Sequence, residues 1–145
     1  MANREDIYQA LFNLTSSISG VVTTSRKLKV YSDVTPIECP AIFQNQTGES
    51  TSQETGRPKI TTLKCDWYIY LNVNGDRTNP QSPAINNILS EIDTVFTPNV
   101  MTGTFTLGGI VSHCWIEGET KIVEGVLGDY SIAIVPINIK TSEVL

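Results

Sequence analysis

Residues able to do chemistry are scarce in this sequence. A single histidine, His113, stands among 145 residues, so neither a pair of imidazoles on a metal nor a histidine relay is available. The three cysteines, Cys39, Cys65 and Cys114, lie far apart with no CxxC pairing. That spacing argues against a disulfide framework and a zinc knuckle, and the three read as buried thiols. No long hydrophobic run exists: the longest, near Ile132 to Ile137, is far too short to cross a bilayer, and no membrane span is expected. Basic residues are outnumbered, and the net charge of −5 disfavours adhesion to nucleic acid through phosphate neutralisation. The start, Met-Ala-Asn-Arg-Glu-Asp, carries acidic residues with no unbroken apolar stretch behind it. It does not read as a secretory signal, and a protein made and used from a cytoplasm is expected.

What is present is a pattern of strands. From Leu63 to Val73 the apolar residues Leu63, Cys65, Trp67, Ile69, Leu71 and Val73 alternate with polar or amphipathic ones, the signature of a strand with one apolar face. At about 3.3 Å per residue this stretch spans roughly 36 Å, long enough to project as a ribbon where another subunit can pair. A length of 145 residues fits one domain that buries about two-thirds of its unfolded surface.

Ile7, Leu11, Leu14 and Ile18 recur at helical spacing over Arg4 to Ser19, with Asn3 as cap, Glu5 and Asp6 in the first turn and Gly20 as stop. Val21 to Thr24 begins an extended segment continuing through Leu28, Val30 and Tyr31, broken at Asp33 to Pro36. Cys39 to Gln44 reads as a second strand. Asn45 to Pro58 holds no hydrophobic residue and is expected to be a long mobile loop at a hairpin tip. Asn74-Gly75-Asp76 marks a turn, and Ser82-Pro83 starts a second helix whose stripe is Ile85, Ile88, Leu89, Ile92, Val95 and Phe96. The last third predicts an antiparallel meander of Thr104 to Leu107, Ile110 to Glu117, Lys121 to Val126 and Asp129 to Lys140. Pro136 makes its strand either an edge or one with the proline side unpaired. The expected fold is α+β: a single domain, residues 1–145, with a mainly antiparallel sheet, two amphipathic helices packed on it and a long polar hairpin loop.

Candidate chemistry dissolves on inspection. His113 adjoins Cys114, but neighbours on a strand point to opposite faces and cannot form a dyad. Glu117, Glu119, Glu124 and Asp129 lack calcium-loop spacing and read as solvated turn charges. Gly108-Gly109 has no following lysine or helix start, so it reads as a bulge rather than a phosphate cradle. No catalytic residue, metal or cofactor is assigned. Lys27 and Lys29 read as one strand face, either a lysine-protected edge or a salt-bridging patch, and Tyr68 and Tyr70 stand on the polar face of the long strand as cross-strand partners or interface anchors.

The order of elements, together with Glu38-Cys-Pro-Ala-Ile-Phe-Gln44, Asn86-Asn-Ile-Leu-Ser-Glu-Ile-Asp93 and Leu107-Gly-Gly-Ile-Val-Ser-His-Cys-Trp-Ile-Glu-Gly-Glu119, resembles small tail terminator or tail completion proteins of long-tailed bacteriophages. The resemblance covers most of the chain. It implies a non-enzymatic virion protein of the tail neck, assembled in the host cytoplasm. Such a protein forms a homohexameric ring on the tail tube protein, ends tube growth and meets the head connector or stopper, while DNA passes the lumen without sequence-specific binding. On that reading Lys27, Lys29, Tyr68 and Tyr70 are ring-interface candidates, and Gln46, Thr47, Glu49, Gln53, Glu54 and Arg57 are partner-binding candidates in the loop. A head-side connector or stopper is the alternative, followed by a small soluble enzyme or ligand binder, or a monomeric regulator.

Overall fold

The computed structural model describes residues 3–72, 78, 80 and 82–142, and of 125–127 the backbone alone. Helix α1 (Arg4–Asn13) opens with a reciprocal cap: Asp6 N–H donates to Asn3 Oδ1 at 2.8 Å while the Asn3 N–H donates to the Asp6 carboxylate at 3.5 Å. The expected helix to Ser19 stops early, and Leu14–Ser17 forms a tighter 3-10 turn. The hydroxyls of Thr15 and Ser16 donate back to the carbonyls of Phe12 and Asn13, the local bonding that competes with a continuing helix.

Strand β1 (Thr23–Ser25) follows, then two 3-10 turns, Tyr31–Asp33 and Pro36–Glu38. The extended run expected through Tyr31 is therefore confined to three residues, and Pro36 opens a turn capped by Thr35. Strands β2 (Ala41–Ser52) and β3 (Ile60–Asn72) form a long hairpin, and α2 (Ser82–Val95) leads to β4 (His113–Ile116), β5 (Lys121–Leu127) and β6 (Tyr130–Thr141). The sheet order is β1-β2-β3-β6-β4, with β5 also paired to β6; β1 and β2 are parallel and every other pair is antiparallel. This is the expected single α+β domain with a mainly antiparallel sheet.

Both helices cover one face of that sheet. Ile7 and Leu11 of α1 and Ile85, Ile88 and Ile92 of α2 pack on Ile42, Leu63, Trp67, Val135, Ile137 and Ile139. Burying each such aliphatic side chain is worth roughly 1.5–3 kcal/mol, so this single layer supplies most of the drive to fold. One polar side chain enters it: Gln44 is buried, donates from Nε2 to the Tyr8 carbonyl at 2.9 Å and accepts from Trp67 Nε1 at 3.0 Å. On the opposite, outer face a smaller cluster of Val34, Ala41, Phe43 and Tyr70 lies beneath the crossover joining β1 to β2.

Several expectations fail for identifiable reasons. Strand β2 continues through Ser52, so most of the expected Asn45 to Pro58 loop is strand and only 53–59 connects. Polar residues hold a strand there because β3 satisfies their backbone; no core is needed for that. A register shift between Gln46 and Gly48 marks a bulge in this ladder. The long strand β3 does not project as a free ribbon, since β2 pairs with it from Ile60 to Tyr70 and β6 from Thr61 to Asn72. Thr104 to Leu107 is not a strand, and the meander is rearranged: β4 and β5 lie end to end along the same side of β6. Pro136 sits where one gives way to the other, with its carbonyl accepting from Glu117 N–H at 3.1 Å. Strand β6 is thus interior, not an edge, and its proline nitrogen falls at the break where no ladder donor is required. The expected Asn74-Gly75-Asp76 turn lies outside the described residues.

Candidate functional site

The hairpin arm carries the predicted partner-binding residues. From Gln46 to Ser52 every side chain is exposed, and so is every residue of the 53–59 connection. The arm is nonetheless tied down. Glu49 accepts two hydrogen bonds from Arg4 at 2.8 Å each, and the Arg4 guanidinium holds the Glu49 carboxyl below its usual range. Gln46 accepts from Arg26 at 3.3 Å, and the same guanidinium grips Glu5 of α1 at 2.5 and 2.9 Å. Hydrogen bonding to Arg26 lowers the Glu5 pKa. Thr47, at the bulge, borders a cleft with Lys64, Asp66 and Glu117. Gln53 is open to solvent, and Glu54 bridges to Arg57, at 3.3 Å within the tip. Gln46, Thr47 and Glu49 thus stand together on an ordered arm, with Gln53, Glu54 and Arg57 at its end.

The four ring-interface candidates separate. Lys27 and Lys29 do not share a strand face, because β1 ends at Ser25 and the chain turns away. Lys27 is exposed; Lys29 Nζ reaches Glu38 at 3.2 Å. Tyr70 is 3% exposed, packs against Phe43 at 5.4 Å between ring centroids, and donates its hydroxyl to the Lys29 carbonyl at 2.7 Å. Burial, with Tyr68 nearby, pushes its phenol up to about 12, so Tyr70 is a structural group rather than a surface offered to a neighbour. Of the two tyrosines Tyr68 alone is partly open, 6.4 Å from Tyr70.

Tyr68 lines a shallow cleft on the outer face with Asp66, Glu119, Lys121, Ile134 and Pro136. The pairings put Asp66 opposite Pro136, and Tyr68 opposite Ile134, which also faces Lys121. Burial raises the Asp66 pKa, and Lys121 opposes that rise. The cleft is amphipathic: aromatic and aliphatic on its floor, with charges of both signs at its rim.

The histidine and cysteine follow strand geometry. Cys114 pairs opposite Ile139 in the core, whereas His113 turns to the other face, stacks on Trp115 at 5.0 Å, and accepts at Nδ1 from Phe105 N–H at 3.1 Å. Burial raises the Cys114 thiol to about 12 and lifts Cys65 as well, so neither is a ready thiolate. Glu124 is occupied, taking hydrogen bonds from the Ser82 N–H at 3.1 Å and its hydroxyl at 2.8 Å, where a carboxylate suits the start of α2. Glu117 accepts from Trp115 Nε1. Among the described residues no group of three or more His, Cys, Asp or Glu is placed to hold a metal ion, and no helix is long and apolar enough to cross a membrane.

One surface feature escaped the sequence reading. Val100 and Met101, 94% and 88% exposed, ride a turn held by Asn99 N–H to the Thr104 carbonyl at 2.9 Å and Gly103 N–H to the Asn99 carbonyl at 2.7 Å. The available signal was an apolar pair set inside a Thr, Asn and Gly turn after a helix stop. Comparison with family models and with curated proteins returns no match.

Proposed function

We propose that this chain is a structural virion protein that caps a phage tail tube as a ring, ends tube polymerisation and forms the tail side of the head-tail joint. The observation that carries this reading is the hairpin arm. Seven consecutive β2 residues, Gln46 to Ser52, are exposed yet held in a strand and tied to α1 through Arg4 and Glu49. An ordered strand segment whose own side chains stay exposed contributes little to the core and is suited to contact another molecule. Its partners on this reading are further copies of the chain, the tail tube protein and the head connector or stopper. DNA passes the lumen without sequence-specific binding, in keeping with the negative net charge. The chain acts without a catalytic site, in the tail neck. The head-side connector is the second reading, favoured by the same arm because it is equally suited to a portal surface.

The test is native mass spectrometry of the purified protein, alone and with tail tubes, comparing wild type with a variant lacking Thr47 to Gly56. Six copies added per tube end, lost on deleting this outer half of β2 and most of the connection, is the expected result. Binding to connector assemblies but not to tubes moves the assignment to the head side, and indifference to both refutes it.

A further inference from the structure

We propose that copies of this chain join edge to edge, the β5 edge of one protomer adding to the β1 edge of the next so that one sheet runs across the contact. This names the interface of the ring reading and rests on it.

The sheet has two ends. At one, β1 has β2 on a single side. At the other, β4 and β5 share the flank of β6, but they differ in cover. The outer side of β4 is occupied by Phe105, whose carbonyl accepts from Cys114 N–H at 2.8 Å. No backbone hydrogen bond from a described residue outside β6 reaches Lys121 to Glu124 of β5. A side chain on each face of that strand is open: Ile122 is 48% exposed and Val123 37%. Beside β1, Val22 is 63% exposed. An edge carrying apolar groups and unpaired backbone is a site for strand addition.

Direction and charge decide which edges meet. Strand β1 runs parallel to β2, while β3 opposes β2, β6 opposes β3 and β5 opposes β6. A neighbour related by rotation about a ring axis, with the same face outward, therefore brings its β1 antiparallel to β5. With Thr24 opposite Ile122, Lys27 and Glu119 fall at the same end of that ladder, each two residues beyond its strand. Among the described residues, Glu117 and Glu119 lie at the β5 end with Lys121. At the β1 end, Arg26 and Lys29 are bridged to Glu5 and Glu38, whereas no described carboxylate bridges the Lys27 ammonium. Two β5 edges would bring carboxylates together and two β1 edges lysines, so charge favours the head-to-tail contact over a two-fold one. The ladder is short, since β1 has three residues and β5 shifts register after Glu124. A single such contact falls well below the roughly 800 Å² per partner of a stable interface, so it holds where each copy is gripped on both sides or gathered on a tube.

Charge exchange tests this on the full chain: Lys27→Glu, Glu119→Lys and the double variant, with sedimentation at rising concentration and copies per tail-tube end as readouts. Both positions are exposed, and unchanged melting temperatures verify folding. Each single variant is expected to weaken association about tenfold at low salt, and the double variant to recover to within about threefold of wild type, because in every contact the exchanged charges still oppose. Wild-type association in the single variants, or no recovery in the double, overturns the edge contact. If wild type caps tubes in six copies while all three variants match it, the interface lies elsewhere and the tail assignment stands. If wild type neither self-associates nor binds tubes, both fall.

Discussion

Replacing Gln44 by leucine isolates the polar link between the sheet and α1. Gln44 is buried, accepts from Trp67 Nε1 at 3.0 Å and donates to the Tyr8 carbonyl at 2.9 Å. Leucine is of similar volume, so packing is largely kept and the loss is polar. The Tyr8 carbonyl keeps its bond within the helix, but the indole N–H is left buried and unsatisfied, which costs about 1–3 kcal/mol, with about 1 kcal/mol more for the lost amide bond. Allowing for the apolar gain of leucine, the net cost is about 2–3 kcal/mol. At this chain length that is a fall in melting temperature of roughly 5–10 °C. The assay is equilibrium urea unfolding followed by tryptophan fluorescence, with calorimetry as a second probe. A cycle with Trp67→Phe sharpens it: once the indole N–H is absent, Gln44→Leu orphans nothing, and the two substitutions should couple by about 1–2 kcal/mol. A loss under about 0.5 kcal/mol for Gln44→Leu, or additivity in the cycle, refutes the view that this glutamine satisfies the indole.

Other outcomes follow from the same geometry. Glu49→Gln should leave the melting temperature nearly unchanged, because the Arg4 pair is exposed, yet speed amide exchange in Gly48 to Ser52; unaltered exchange would mean that the pair does not steady the arm. A thiol reagent should modify Cys39 alone in native protein and all three cysteines in denaturant, since Cys65 and Cys114 are buried; rapid native labelling of either would contradict the core assignment. Asp66→Asn should be more favourable at neutral pH than at pH 3. Burial raises the folded pKa of Asp66, so the ionised carboxylate costs stability as pH rises from its unfolded value through its folded one, and asparagine escapes that cost; a pH-independent difference would refute it. Val100→Ser with Met101→Gln should change unfolding free energy by less than about 0.5 kcal/mol while improving solubility, as measured by denaturation and polyethylene glycol precipitation; a large destabilisation would show the turn to be packed after all.

Much of the fold was legible wherever side chains settle the matter. The alternation from Leu63 became β3, the Asn3 and Asp6 pair became a reciprocal cap, and Ser82-Pro83 began α2. What was not legible depended on partners distant in sequence. The polar run from Asn45 to Ser52 gives no hydrophobic pattern, and only β3 makes it a strand. Thr104 to Leu107 has strand composition, but Phe105 meets β4 through one backbone bond and the His113 ring rather than a ladder. Tyr70 looked like a surface tyrosine because alternation assigns faces without saying which are covered, and the β1 to β2 crossover covers its face. The opposite orientation of His113 and Cys114 needed only the period of two.

The break at Pro136 bears on how the border of the sheet meets a chance neighbour. Because β4 and β5 share one side of β6 in two short pieces, the border of the sheet is segmented, and no stretch of it offers a long uninterrupted template. A misplaced neighbour can therefore grip only a few residues before the register fails. Such a contact dissociates fast, so the segmentation guards the free chain against misplaced pairing and fibrous stacking.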